Sequence, residues 1–296
     1  MTVSFAKRDQ SCLPVYIVAP ESLDKILNQL EESSQNWARF SGFLGNFGQA
    51  VICPDLNGEP KCALLGLGNA KDRTRIRFTL SSAASKLPEG TYYLKNDLIL
   101  ENRDYELLGW LMLGYSFDKY RKQSNAGPRL VAPDWADVAK IESMAKAECL
   151  CCDLINTPAS DMSPADLEKS AKELAKKFGA DFSVIKGENL LKKNFPMIHC
   201  VGRAAQTVPR LIELRHGSLG PKISLVGKGV CFDTGGLNMK LGTSMGLMKK
   251  DMGGAANIMA LAHMIMQSGL SYQLQVLIPA VENSLSANSF RPQDIL

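Results

Sequence analysis

The sequence predicts an α/β fold in two domains, a smaller N-terminal α/β domain over residues 1–135 and a C-terminal mixed-sheet α/β domain over residues 136–296. Three observations predict it. Short apolar runs alternate with helical spacings along most of the chain, the pattern of strands and helices packed in layers. The 296 residues suffice for two cores of roughly 150 residues each. The stretch "NAGPRLVAPDW" at 125–135 has the Gly and Pro content of a linker.

In the first half, "LPVYIVAP" (13–20) reads as an apolar strand ended by Pro, and "ESLDKILNQL" after it as a helix. "QAVICPD" (49–55) and "KCALLGLG" (61–68) read as two strands joined by the turn "LNGEP". Helical spacings follow around 73–87 and 104–120, the latter carrying Leu107, Leu108, Leu111, Met112 and Tyr115.

The second half opens with a helix signature in "INTPASDMSPADLEKSAKELAKKFG". Ser163 suits the N-cap, Pro164 occupies the first turn where its missing N–H costs nothing, and Asp166 serves the helix start. Leu167, Ala171, Leu174, Ala175 and Phe178 fall on one face, and Gly179 stops the helix. The strands expected to receive that face are "DFSVI" (181–185), "PMIHCVG" (196–202), "RLIELRH" (210–216), "KISLVG" (222–227) and "YQLQVLIPA" (272–280). With a helix at 251–266 they predict a mixed or largely parallel sheet covered by helices, which places functional groups after strands and at helix starts.

Hydrophobic residues at 45% and charged residues at 22% exclude a disordered or collagen-like chain. The net charge of +4 is concentrated late: residues 1–150 hold 18 basic and 18 acidic side chains, residues 151–296 hold 16 and 12. No Lys/Arg tract is interleaved with aromatics, so nucleic-acid binding gains no support. The eight cysteines lack paired CxxC spacing and read as free thiols in a reducing cytoplasm. Cys149-Leu-Cys-Cys152 reads as core packing, since no second thiolate pair is near it to complete a metal site. The N-terminus lacks a continuous apolar region and no window reaches 18 apolar residues, so neither a signal peptide nor a membrane span is expected.

One segment is costly without a function. "LVGKGVCFDTGGLNMKLGTSMGLMKKDMGG" (225–254) sets Lys228, Asp233, Lys240 and Asp251 among Gly, Met and Thr beside an apolar strand. Any one Asp beside Gly is ordinarily a turn residue. Four charges framed by "GKG", "FDTGG" and "KDMGG" are less ordinary, because glycines let backbone approach a polar centre closely. Two carboxylates and a lysine amine can share one divalent cation or a pair of them. A second lysine that stays charged would polarise a carbonyl or steady an oxyanion. Asp251 also suits a helix start, and Met245, Met248 and Met252 serve equally as core filler or as the wall of an apolar pocket. A Walker A loop is a poor match, because Gly follows Lys228. His199, His216 and His263 show no mutual ligand spacing, and no serine or cysteine triad can be assembled.

"VGKGVCFDTGGLNMK" followed by "MGLMKKDMGGAANIMA" resembles the signature core of the leucyl aminopeptidase family, the M17 cytosol aminopeptidases, which are dimetal exopeptidases. "DLINTPASDMSP", "HCVGRAAQTVPRLIEL" and "LIPAVENSLSANSFRP" match the family in the same order, so the resemblance is close over 150–296. It is looser over the first 140 residues, where "LGWLMLGYSFDKYR" is the best point. The resemblance implies two divalent cations, Zn²⁺ or Mn²⁺. It assigns Lys228 and Asp251 to the more loosely held metal, Asp233 to both metals, Lys240 to the substrate carbonyl and its gem-diolate, and Met248 to the side-chain pocket. It further implies peptides with a free N-terminus as substrates, an apolar, leucine-like first residue, a cytoplasmic location, a homo-oligomer that is a hexamer in the family, and no membrane association.

The family continues into an "NTDAEGRL"-type motif whose Asp and Glu finish both metal sites and whose Arg holds a bicarbonate. This chain reaches "RPQDIL" without it. The expectation is an incomplete centre that binds metal weakly and turns over poorly. The alternative is a catalytically inactive fragment acting as an oligomer subunit or binding protein. The strand at 272–280 is expected to have an unprotected edge.

Overall fold

The computed structural model describes residues 3–96, 102–123 and 127–295. The chain divides into two compact units, Met1–Lys146 and Ala147–Leu296.

The first unit opens with β1 (Leu13–Val18), a 3₁₀ turn at Pro20–Ser22, α1 (Leu23–Leu27) and α2 (Glu32–Phe40). β2 (Ala50–Pro54) and β3 (Pro60–Gly66) form an antiparallel hairpin. Asp55 shapes its turn by accepting the N–H groups of Asn57 and Glu59 at 2.7 and 3.0 Å. α3 (Ala70–Arg73), α4 (Thr79–Ala84), β4 (Gly90–Leu94), α5 (Arg103–Met112) and β5 (Pro128–Leu130) complete the sheet in the order β2-β3-β1-β4-β5. β1 has parallel neighbours on both sides, and Val15, Ile17 and Val18 are fully buried, as the near-continuous apolar run requires.

The helical spacing at 104–120 ends in the structure at Met112, and that at 73–87 condenses to α4. The start of α4 is set by a tertiary contact. Glu106 of α5 accepts the Thr79 and Leu80 N–H groups and the Thr79 hydroxyl, capping the start of α4 from outside. Residues 127–135 are less of a linker than their composition implies: β5 pairs with β4, and Trp110 donates to the Pro128 carbonyl at 2.9 Å. Residues 125 and 126 of the linker expectation lie outside the described residues.

α6 (Val138–Asn156) contains the boundary between the units. The second unit continues with α7 (Pro164–Phe178), β6 (Asp181–Lys186), α8 (Asn189–Lys192), α9 (Pro196–Gly202), β7 (Arg210–His216), β8 (Lys222–Val226) and β9 (Gly229–Asp233). Then come α10 (Gly242–Gly246), a 3₁₀ turn at Met248–Met252, α11 (Gly253–Gln267) and β10 (Gln273–Asn283). α7 starts and stops as its sequence predicts. Ser163 and Asp166 form a capping box, and Gly179 ends the helix at φ +65°.

The sheet is mixed. Its order is β6-β7-β10-β8, with β9 also paired to β10; β6/β7 and β7/β10 are antiparallel, and β8 and β9 run parallel to β10. Leu274, Val276, Ile278 and Ala280 alternate along β10 into one core with residues of α7 and α11. The opposite face carries a polar chain in which Ser183, Glu213, Gln275 and Ser224 are linked by hydrogen bonds.

Two expectations are corrected here. "PMIHCVG" is the helix α9, not a strand: Pro196 supplies its first turn, and Met197, 75% exposed, has no sheet to face. Gly202 ends α9 where a Cβ would lie 2.7 Å from Pro209. The strand at 272–280 has no open edge, because β7 covers one side and β8 and β9 the other.

Candidate functional site

β8 and β9 are two halves of one line of strand. β8 pairs with Gln273–Leu277 of β10, β9 takes up the pairing from Ala280, and Gly227 and Lys228 are the break. At the break the Lys228 carbonyl turns from β10 and accepts the N–H of Ala255 in the first turn of α11, at 2.9 Å. This junction explains "GKG". A Cβ on Gly227 would stand 2.6 Å from the Gly254 carbonyl oxygen, and one on Gly229 2.8 Å from the Pro279 carbonyl oxygen. Backbone crowds the lysine from both sides, and only glycines fit there.

The four charged residues singled out in the sequence form two ion pairs. Lys228 Nζ lies 2.8 Å from each carboxylate oxygen of Asp251. Lys240 Nζ lies 3.1 Å from Asp233 Oδ2. β9, which ends at Asp233, packs against the 3₁₀ turn that carries Asp251. Asp251 therefore sits one turn ahead of α11 and does not open it. Met248 begins the same 3₁₀ turn, half-buried, while Met252 at its end is fully buried in the core.

The two carboxylates are held differently. Burial works to raise the Asp233 carboxyl, but the Gly235 N–H, the Lys240 ammonium and the Asn283 amide outweigh it and keep the group below its ordinary range. On Asp251, Oδ1 accepts from Lys228, and Oδ2, shielded from solvent, lies in ion-pair contact with the same ammonium at 2.8 Å.

Two carboxylates and a lysine amine are donor types suited to a hard or borderline divalent cation. As far as they go, the residues fit one. Among the described residues, however, no group of three or more His, Cys, Asp or Glu side chains converges on a common point.

Sequence reasoning did not single out Asn283, which contacts the site, or Lys249, which shares the 3₁₀ turn with Asp251. Asn283, the last residue of β10, donates its amide N–H to Asp233 Oδ1 at 2.7 Å. Fifty residues separate the pair, and only strand pairing brings them together. Lys249 donates to the carbonyl of Asn156, the last residue of α6, at 2.7 Å, and burial lowers its ammonium below the usual lysine range. The one signal for Lys249 was a lysine set among methionines in "GLMKKDM".

Comparison with known proteins gives the same account of both units. A model of the cytosol aminopeptidase family, catalytic domain, matches residues 149–296, and a model of the M17 aminopeptidase N-terminal domain matches residues 13–133. The probable cytosol aminopeptidase of Clostridium perfringens is 28% identical over 303 residues, covering 93% of this chain and 60% of that protein. The crystal structure of the Coxiella burnetii cytosol aminopeptidase superimposes with a TM-score of 0.86 at 37% identity, covering 99% of this chain and 63% of that one. The bottromycin maturation enzyme BotP in complex with Mn gives a TM-score of 0.77 at 27% identity, covering 96% of this chain and 62% of that one. The chain thus spans 60 to 63% of the length of these relatives. With family models matched across both of its units, the chain belongs to the cytosol aminopeptidase family, M17.

Proposed function

We propose that this chain carries the chemistry of a metal-dependent aminopeptidase of the leucyl aminopeptidase type, releasing apolar, leucine-like residues from peptides with a free N-terminus. The carrying observation is the junction between β8 and β9, where Lys228 faces Asp251 and Asp233 faces Lys240. Lys228, Asp233 and Asp251 would hold the divalent cations, Zn²⁺ or Mn²⁺; the manganese named for BotP, itself similar to this chain, supports the choice. Such cations, when bound, polarise the scissile carbonyl and make water nucleophilic near neutral pH.

The remaining work falls to the chain. Lys240 is the group we place on the substrate carbonyl, where its ammonium would stabilise the developing oxyanion. Its side chain is 31% exposed, enough to turn from Asp233 toward a substrate. Met248 would wall the pocket for the first side chain; Leu237, Met239 and Leu241, on the loop that precedes it in the chain, are exposed. Substrate contacts are accordingly assigned to Lys228, Asp233, Lys240, Met248 and Asp251. A cytoplasmic location and a homo-oligomer, hexameric as the resemblance implies, belong to the same proposal. Free cysteines and the cytosolic naming of the relatives support the location. Among the described residues no helix is long and apolar enough to cross a membrane.

Hydrolysis of leucine and methionine amides with added Mn²⁺ or Zn²⁺ tests the reading. Lys240→Ala is expected to cut kcat by roughly 10²–10³, the range for losing one oxyanion donor. Turnover unchanged by K240A would end the role given to Lys240. A second reading, a non-catalytic subunit or binding protein, is favoured by one observation: the described residues bring together too few carboxylates for a dimetal shell. No metal-dependent turnover in the wild-type chain is the result that selects it.

A further inference from the structure

We infer that Asn283 is the positioning residue for Asp233 and fixes which carboxylate oxygen the chain presents to a cation; the inference rests on the metal-centre reading above. The geometry begins in the backbone. Asn283 is registered opposite Asp233 across the β9/β10 pair, and the register shifts between Val281 and Asn283. Irregularities of this kind re-aim a side chain at the end of a ladder. The Asn283 carbonyl is held twice by Thr234, from the backbone N–H at 3.0 Å and from the hydroxyl at 2.8 Å. With its main chain so anchored, Asn283 donates Nδ2–H to Asp233 Oδ1 at 2.7 Å.

A second donor reaches the same oxygen. The Gly235 N–H lies 3.0 Å from Asp233 Oδ1. It is delivered by a backbone at φ +89°, where a Cβ would stand 2.4 Å from the Asn238 carbonyl oxygen. Two donors thus occupy Oδ1, whereas Oδ2 is ion-paired with Lys240. The asymmetry makes Oδ2 the oxygen that is freed for a metal when Lys240 turns toward a substrate. An apolar side chain at 283 would leave Oδ1 with one donor, and the carboxylate would be freer to rotate about its terminal bond. An aspartate there would set two like charges against each other.

The test is Mn²⁺ binding to the full 296-residue chain, followed by the electron paramagnetic resonance signal of free Mn²⁺, for wild type, D233A, N283L and N283A. N283L keeps the size of the side chain and removes the donor; N283A guards against a folding failure of the larger residue. Melting temperatures are measured without metal. Binding that D233A abolishes and that both Asn283 variants weaken roughly 10–100-fold, the usual cost of losing an outer-shell partner, supports the inference, provided metal-free melting stays at the wild-type value. That provision excludes a merely structural role, since the Thr234 bonds use the backbone of residue 283 and survive either change. Binding lost in D233A but unchanged in N283L and N283A overturns this inference alone. A fall in metal-free melting parallel to the loss of affinity also overturns it. No binding in the wild type, or binding that survives D233A, overturns it together with the metal-centre reading.

Discussion

Replacing Gly227 by alanine tests the physical account of the site most directly. The new methyl carbon would lie 2.6 Å from the Gly254 carbonyl oxygen and 2.7 Å from Ile258 Cδ1, both well inside van der Waals contact. Ile258 can change rotamer, but Gly254 is backbone in the first turn of α11 and cannot. Overpacking of this kind costs about 1–3 kcal/mol, and a backbone obstacle argues for the upper half of that range. A loss of about 2 kcal/mol lowers the folding equilibrium roughly 30-fold. For a unit of this size it lowers Tm by roughly 4–8 °C. Gly246→Ala is the control, because nothing lies within 4 Å of its Cβ position. Urea unfolding of G227A and G246A, followed by circular dichroism, reads the difference. G227A should also weaken Mn²⁺ binding, since relief of the clash moves Lys228 away from the turn that carries Asp251. G227A as stable as G246A would refute the claim that close backbone approach, and not loop flexibility, is why glycine flanks Lys228.

Further outcomes are expected elsewhere in the chain. Ser163→Ala removes the α7 capping box and should cost about 1 kcal/mol in urea unfolding; no loss would show that the cap contributes nothing. Burial works to raise the Glu168 carboxyl, but hydrogen bonds from Lys186 and Arg210 hold it below its ordinary range. A depressed folded value gives stability that is present above the unfolded glutamate value of about 4.3 and lost as pH falls through the folded one. The stability-versus-pH curve of Glu168→Gln should therefore be flatter below about pH 4.5 than that of the wild type, and an unchanged slope would remove Glu168 from the account. Thiol labelling of the native chain, mapped by mass spectrometry, should find exposed Cys200 first and buried Cys53, Cys62 and Cys231 only after denaturation. Burial also pushes the Cys149 thiol up to about 12 and the Cys151 thiol up to about 11, so both should label slowly near neutral pH. Early labelling of Cys231 would contradict the packing of the β9 core.

Much of the second unit was legible because its signals are local. Ser163, Pro164, Asp166 and Gly179 bound α7 by capping chemistry within one turn of each end. Apolar runs placed β7 and β10, whose buried residues alternate over Arg210–Leu214 and Leu274–Ala280. The same reasoning failed at "PMIHCVG", where a short apolar run has no periodicity to separate strand from helix and the proline at its head decided the matter. It also failed to find β9 as an element, because "GVCFD" follows directly on "GK" and looks like loop until β10 is present to pair with it.

The sequence by itself determined the fold class, the bounds of the best-capped helix and the identity of the four charged residues framed by glycine, since periodicity, capping and composition act over a few neighbouring positions. Only the tertiary structure decided the pairing, Lys228 with Asp251 and Lys240 with Asp233. Only it showed that Asn283 aims an amide at Asp233 and that Gly227 and Gly229 are pressed by backbone from α11 and β10. These contacts join residues up to fifty positions apart. Hydrogen bonds and steric limits act through space over a few ångströms, and which atoms come that close is settled by strand register and helix docking.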